Sequence, residues 1–360
     1  MRPMDATAIT PPGRLGDPGM SLGTDPRADV RLVAGMIPYG MHENSPASGV
    51  TPASAYDERL ELTAATEAAL QDFFPMLYAG LPEISGVEHA EETIEGVDGN
   101  AITLHIHRPA DAASEVPAVL HLHGGGMALL SAADGQFVRW RDELTAAGVV
   151  VVGVEFRNAG GKLGPYPFPA GLDDCTSALL WLHAHRSRLG ISTIVVSGES
   201  GGGNLTLATA LRANRDGNID AVDGVYAQCP YISGMYAEQP AELASLREND
   251  GYFLERWQMA VNASIYDPDG RHASNPLAWP YHATGDDLAG LPPHVISVNE
   301  LDPLRDEGIG YHRKLLAAGV SSVCRVVVGT SHAADVIFRN SIPDVYAASV
   351  RDLVGFAYSL

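Results

Sequence analysis

Apolar residues along the chain fall into short runs separated by stretches with helical spacing, and this alternation sets the expected architecture. Residues 116–122, 149–154, 194–197, 222–228, 295–299 and 323–328 are runs of strand length rich in β-branched residues. Between them lie helix-compatible stretches at 136–147, 172–185, 205–213 and 310–318. Strands alternating with helices predict an α/β fold, a mostly parallel sheet covered by helices on both faces. Residues 87–94 and 102–108 are joined by Gly96-Val97-Asp98-Gly99-Asn100, turn chemistry that predicts an antiparallel hairpin. Ahead of it, residues 54–78 space Leu60, Leu62, Ala65, Ala69, Leu70, Phe73 and Phe74 as one helix face. Pro75 and Gly80 are the expected stop.

Two stretches escape the alternation. Residues 1–52 are rich in Pro, Gly, Asp and Ser and predict an irregular arm laid on the surface. Residues 231–279 carry Met235, Tyr236, Tyr252, Phe253, Trp257, Met259 and Tyr266 without a strand pattern. An insertion of this length between strands predicts a helical excursion above the strand ends, where ligands bind in open α/β sheets. Its aromatics either line a pocket or pack the excursion onto the body.

Composition narrows the function classes. The 360 residues carry 23 basic and 44 acidic side chains, a net charge of −21 with no long basic run. That excludes nucleic acid and an anionic membrane as expected partners. Cys175, Cys229 and Cys324 are far apart and odd in number, which fits a reducing compartment rather than a disulfide framework. The first twenty residues lack the apolar core of a signal peptide, and residues 149–154 are far too short to span a membrane. The expectation is a soluble cytoplasmic protein.

The chemistry concentrates in two glycine-rich turns. Gly198-Glu199-Ser200-Gly201-Gly202 follows a strand and opens a helix, the setting of a nucleophile elbow. A serine held on so sharp a turn leaves no room for side chains two positions away, and the helix N-terminus faces any developing negative charge. His123-Gly124-Gly125-Gly126 also follows a strand directly. Such a loop aims backbone N–H groups at an oxyanion, with Gly125, Gly126 and Gly201 as the expected donors, each contributing about 3 kcal/mol.

A nucleophilic serine needs a base, and the base needs a carboxylate, in the chain order Ser, acid, His for this kind of elbow. Glu300-Leu301-Asp302-Pro303-Leu304-Arg305-Asp306 follows one late strand and Gly329-Thr330-Ser331-His332 follows the next. Asp302 and His332 are the expected partners of Ser200, with Glu300 and Asp306 as alternative acids. His105 with His107, and His121 with His123, each share a strand face with metal-ligand spacing. Neither pair has an acidic or cysteine cluster in sequence to complete a site, so no metal and no cofactor are expected.

Together residues 123–126 and 198–204, Tyr166-Pro167-Phe168-Pro169, and Asp302-Pro303-Leu304-Arg305-Asp306-Glu307-Gly308 resemble the hormone-sensitive-lipase-like α/β-hydrolases. Asn249-Asp250-Gly251-Tyr252-Phe253 and residues 333–338 extend the resemblance, which runs from about residue 29 to near the C-terminus. It implies a single-domain α/β-hydrolase fold with a mostly parallel eight-stranded sheet. The helical cap would come from about 1–85 and about 231–279, over a body of about 86–230 and 280–360. It also implies Ser200 as nucleophile, His332 as base, Asp302 as its partner, and a homodimer through the edge strand 323–328 as one option. One departure is Ala333, where the family usually has glycine after the histidine.

The expected function is a serine carboxylesterase acting on a small-molecule ester through an acyl-enzyme. The alternatives are a lactonase or amide hydrolase of the same fold, and a non-catalytic small-molecule-binding homologue. Family members that only bind have lost the catalytic histidine, whereas His332 is present here.

Overall fold

The computed structural model describes residues 10–111 and 114–360. Eight strands form one sheet: β1 Val87–Glu95, β2 Ala101–Pro109, β3 Val116–Leu122, β4 Val150–Glu155, β5 Ile191–Glu199, β6 Gly224–Gln228, β7 His294–Asn299 and β8 Ser322–Val327. Their spatial order is β1-β2-β4-β3-β5-β6-β7-β8. The β1–β2 hairpin is antiparallel, with Ile94 opposite Ile102, and β2 also runs antiparallel to β4. All remaining pairs are parallel. This is the mostly parallel α/β sheet that the alternating pattern predicts.

Period-two alternation splits each central strand between two cores. Val119, Val151 and Val195 pack with Trp140 of the helix Gly135–Ala146 and Leu353 of the helix Pro343–Tyr358. Their neighbours Leu120, Val152 and Val196 face the opposite way, toward Leu172, Leu207 and Leu315 of three further helices. Those helices are Ala170–Ala184, Gly201–Arg215 and Arg305–Ala317. The helix Arg305–Ala317 begins five residues earlier than periodicity suggests, and Pro343–Tyr358 has no counterpart among the expected elements.

Two expectations need correction. Apart from residues 1–9, which lie outside the described residues, the arm is not simply laid on the surface. It holds a helix, Val30–Met36, capped by the Asp29 side chain, and Leu22, Leu32 and Met36 are fully buried. They join Phe73, Phe74, Leu129, Tyr252 and Phe338 in a third apolar cluster that bridges arm, excursion and body. Nor does Pro75 stop the first long helix, which runs Tyr56–Leu77 through it. Proline inside a helix costs about 3 kcal/mol, but burial of Phe73, Phe74 and Leu77 holds the final turn in place.

The excursion after β6 contains the helices Ser245–Glu248 and Arg256–Tyr266 and no strand. Asn204, in the helix after the elbow, fastens both of its ends. Its Nδ2 donates to the carbonyls of Tyr231 at 2.9 Å and Ala278 at 3.0 Å.

Candidate active site

Ser200 sits between β5 and the helix Gly201–Arg215 with φ 57° and ψ −118°, a conformation L-residues rarely adopt. The surrounding glycines explain how so tight a turn fits. A Cβ on Gly198 would lie 2.2 Å from the Leu122 carbonyl oxygen, and one on Gly202 only 1.8 Å from it. A Cβ on Gly201 would come within 2.5 Å of Met127 N and 2.6 Å of Gly126 N. The elbow and the 123–126 loop are therefore pressed backbone to backbone.

Three side chains from separate strand ends meet at this point. Ser200 Oγ donates to His332 Nε2 at 2.9 Å, and His332 Nδ1 donates to Asp302 Oδ2 at 2.8 Å. Asp302 is fully buried, and its Oδ1 accepts the Leu304 N–H at 2.9 Å. Asn249, from the Asn249-Asp250-Gly251 turn of the excursion, donates to the Asp302 carbonyl at 3.1 Å and holds that loop.

The alternative acids point elsewhere. Glu300 accepts the Gly329 N–H, while Asp306 accepts the Ser245 N–H and pairs with Arg305. Ala333 adopts φ 54°, a left-handed geometry that accounts for glycine as the family's usual residue there. Its Cβ sits in the apolar cluster with Trp140 and Val336.

Gly125 and Gly126 both take positive φ, at 115° and 60°. A Cβ on Gly125 would collide with the Leu129 carbonyl at 2.1 Å. Their N–H groups find no acceptor among the described residues, and Gly126 N lies 2.6 Å from where a Cβ on Gly201 would stand. Backbone donors left open beside a nucleophile suit a developing oxyanion.

Glu199, the unspecified residue of the elbow motif, was not among the expected site residues. Its buried carboxylate accepts the Gly124 N–H at 2.7 Å and His121 Nε2–H at 3.1 Å. It thereby ties the elbow to the loop of Gly125 and Gly126. His123 is stacked on Phe156 at 4.2 Å and donates from Nδ1 to the Gly124 carbonyl at 2.7 Å. Burial pushes its pKa down to about 4, so it stays neutral and props the loop.

Above Ser200 lies a cavity of about 280 Å³, at the small end for small-molecule sites. The body lines it with Leu129, Leu130, Phe137 and Trp140, the first long helix with Thr66, Leu70 and Phe74, and the arm with Met41. From the excursion, Phe253 and Met259 reach it, as do Tyr231, Leu254, Gln258 and Asn262. Tyr236, Tyr252 and Tyr266 are instead fully buried in the apolar clusters, so most of the excursion's aromatics serve packing.

Two clusters have metal-ligand spacing among the described residues. In one, His89 Nε2 and His107 Nδ1 both donate to Asp142 Oδ1 at 2.7 Å, and Arg141 Nε donates to His107 Nε2 at 2.9 Å. The Arg141 bond puts the His107 proton on Nδ1, the atom a metal would need bare, and the guanidinium repels a cation. The other is Cys229 with Asp302 and His332, where the Asp–His bond occupies the ligand atoms and burial pushes the thiol up. Among the described residues no helix is long and apolar enough to cross a membrane.

Comparison with known proteins agrees with this geometry. Residues 119–335 match the α/β-hydrolase-fold family. The chain superposes on brefeldin A esterase, described as a bacterial homologue of human hormone-sensitive lipase, with a TM-score of 0.94 and 48% identity. That match covers 97% of this chain and 98% of the other. Esterase Est22 superposes with a TM-score of 0.85 and 36% identity over 94% of this chain and 99% of its own. Carboxylesterase NlhH of Mycobacterium tuberculosis is 33% identical over 246 residues, 67% of this chain and 73% of that protein. An arylesterase of Saccharolobus solfataricus is 32% identical over 60% of this chain and 67% of its own length. The chain belongs to the α/β-hydrolase family, among its hormone-sensitive-lipase-like members, and is a carboxylic-ester hydrolase.

Proposed function

We propose that Ser200, His332 and Asp302 carry the ester hydrolysis as a catalytic triad. The observation that carries this is the unbroken hydrogen-bond chain Ser200–His332–Asp302, ending on a fully buried carboxylate. Ser200 Oγ attacks the ester carbonyl while His332 Nε2 takes its proton. The tetrahedral oxyanion is held by the N–H groups of Gly125, Gly126 and Gly201. Asp302 fixes the tautomer and steadies the imidazolium, which then protonates the leaving alcohol. Water activated by the same histidine releases the acid from the acyl-enzyme.

The cap consists of the arm and first long helix, up to about residue 85, and residues 231–279, over a body made of the rest. Lining of one cavity by Met41, Leu70, Phe74, Phe253 and Met259 supports that division. Carboxylic esters of small to medium molecules are the substrates, lactones among them. Amides are harder to cleave and need more from the leaving-group acid. Exposed Val323 and Val326 on β8, with Val328 just beyond it, support a homodimer through that edge, which a sizing column tests. Three free cysteines support a cytoplasmic location, which cell fractionation tests.

Mass spectrometry after reaction with a p-nitrophenyl phosphonate tests the nucleophile. The expected result is one adduct, on the Ser200 peptide, formed more slowly while a cleavable ester is present in excess. An adduct elsewhere, with Ser200 unmodified in active enzyme, would refute the assignment.

A further inference from the structure

The cavity above Ser200 is apolar on most sides, but one wall is not. Glu255 precedes the helix Arg256–Tyr266, and Gln258 and Asn262 follow at i+3 and i+7, so all three fall on one helix face. All three line the cavity. Asn262 Nδ2 lies at the oxyanion end, 3.2 Å from where a Cβ on Gly126 would stand. Gln258 Nε2 donates to Asn262 Oδ1 at 3.3 Å, which leaves the Gln258 carbonyl and the Asn262 amide open toward the cavity. Glu255 lies seven residues back, about 10 Å along the helix.

Glu255 is the N-cap of that helix, where the N-terminal end favours a negative charge, yet its side chain makes no capping hydrogen bond. Arg256, next in sequence, pairs instead with Asp250 and with the Tyr236 carbonyl. Among the described residues, Glu255 has the Ser45 hydroxyl and its own main-chain N–H as hydrogen-bonding neighbours. A partly buried carboxylate with no cation beside it among the described residues, in a mostly apolar pocket whose lining also includes Glu43, carries a desolvation cost that a donor on a ligand would relieve.

We infer that the face Glu255–Gln258–Asn262 is a specificity site for hydroxyl groups on an otherwise apolar ester, and that Glu255 turns away esters bearing a carboxylate. This rests on the esterase reading and names the substrate class of the same site. Gln258 and Asn262 offer one acceptor and one donor near the scissile carbonyl. Glu255 accepts from a hydroxyl several bonds further out along that face. A site built to hydrogen-bond a substrate hydroxyl discriminates against the analogue that lacks it, because its polar groups are then left unpaired.

The test uses matched six-carbon esters: p-nitrophenyl hexanoate, p-nitrophenyl 6-hydroxyhexanoate and mono-p-nitrophenyl adipate. Hexyl and 6-hydroxyhexyl butyrate supply the same pair on the alcohol side. The readout is the ratio of kcat/KM values within a pair, which a general packing defect lowers in both members alike. Wild type is expected to favour the hydroxylated member in at least one orientation, and Glu255→Leu to cut that ratio about tenfold or more. Gln258→Leu and Asn262→Leu are expected to lower it for hydroxyls nearer the ester. Glu255→Gln keeps an acceptor without the charge, so the adipate should gain about tenfold relative to the hydroxylated ester. Equal ratios in wild type and all the leucine variants would overturn the inference while cleavage of the hexanoate left the esterase reading standing. Parallel loss on both members would overturn it too. No turnover of any member by folded wild type would defeat both.

Discussion

Removing the Glu199 carboxylate tests how the loop of Gly125 and Gly126, the proposed oxyanion donors, is held. Its two oxygens bind the Gly124 N–H at 2.7 Å and His121 Nε2–H at 3.1 Å, with the residue only 4% exposed. A hydrogen bond to a buried charged group contributes about 1.5–3 kcal/mol. Here much of that is spent on position, because Gly125 and Gly126 follow directly on the tethered amide. Glu199→Gln preserves shape and one acceptor. His121 Nδ1 has no partner among the described residues, so the ring can move its proton there and let Nε2 accept from the new amide. A loss of roughly tenfold in kcat is expected, since the charge-assisted part is gone.

Glu199→Ala strands both donors and frees the loop. Donors worth about 3 kcal/mol each are then misaligned, so kcat should fall roughly 100- to 1000-fold. The loss should appear in kcat with little change in KM, because the oxyanion exists only in the transition state. Initial rates on p-nitrophenyl butyrate, with a thermal melt to show folding, read both parameters. Folded Glu199→Ala with wild-type kcat would refute the tether, as would a loss confined to KM.

Other outcomes follow from the same contacts. Asp302→Asn should fold and lose about 10⁴ in kcat, whereas Asp306→Asn should stay within a few-fold; the reverse would reassign the acid. Glu248 pairs with Arg27 of the arm at 2.6 Å and Arg305 of the acid loop at 2.9 Å. Glu248→Ala should cost about 2 kcal/mol, below the range for fully buried pairs because both arginines are partly exposed, and a urea midpoint reads it. Stability should also vary with pH in two directions. Burial lowers His107, His123 and His294 to about 4. The unfolded chain therefore binds more protons below pH ~6.5, and stability falls as pH drops from there toward 4. Burial raises Glu307 to about 8 despite donors from Ile232, Ser233 and Tyr236. Its contribution is fully present below the unfolded pKa and is lost as pH rises toward 8. Urea midpoints should thus peak near pH 6.5, and Glu307→Gln should flatten the alkaline side; an unchanged slope there would count against Glu307.

The parts of the site that were legible in the sequence are those where backbone must touch backbone. Gly198, Gly201 and Gly202 are required because a Cβ at any of them would meet main-chain atoms within 2.5 Å. Such demands recur at fixed spacing, so they read directly. Chain order admits Glu300, Asp302 and Asp306 alike, and the 2.8 Å bond to His332 separates Asp302 from the other two. Glu199 was not legible, since nothing in its spacing says that its carboxylate turns back to Gly124. The arm was misjudged because its apolar pieces are short and Leu22, Leu32 and Met36 owe much of their burial to Phe73, Phe74, Tyr252 and Phe338, far along the chain. The excursion's aromatics could not be sorted into packing and lining for the same reason. Tyr252 and Phe253 are adjacent, yet Tyr252 is fully buried and Phe253 faces the cavity.

The central claim is that ester cleavage passes through Ser200. Turnover of p-nitrophenyl esters of increasing acyl length, by wild type and by Ser200→Ala, tests it most directly. The account predicts activity on short chains, set by a cavity of about 280 Å³, and a fall of about 10⁶-fold in kcat without the hydroxyl. A folded Ser200→Ala protein that hydrolyses these esters at the wild-type rate would contradict it.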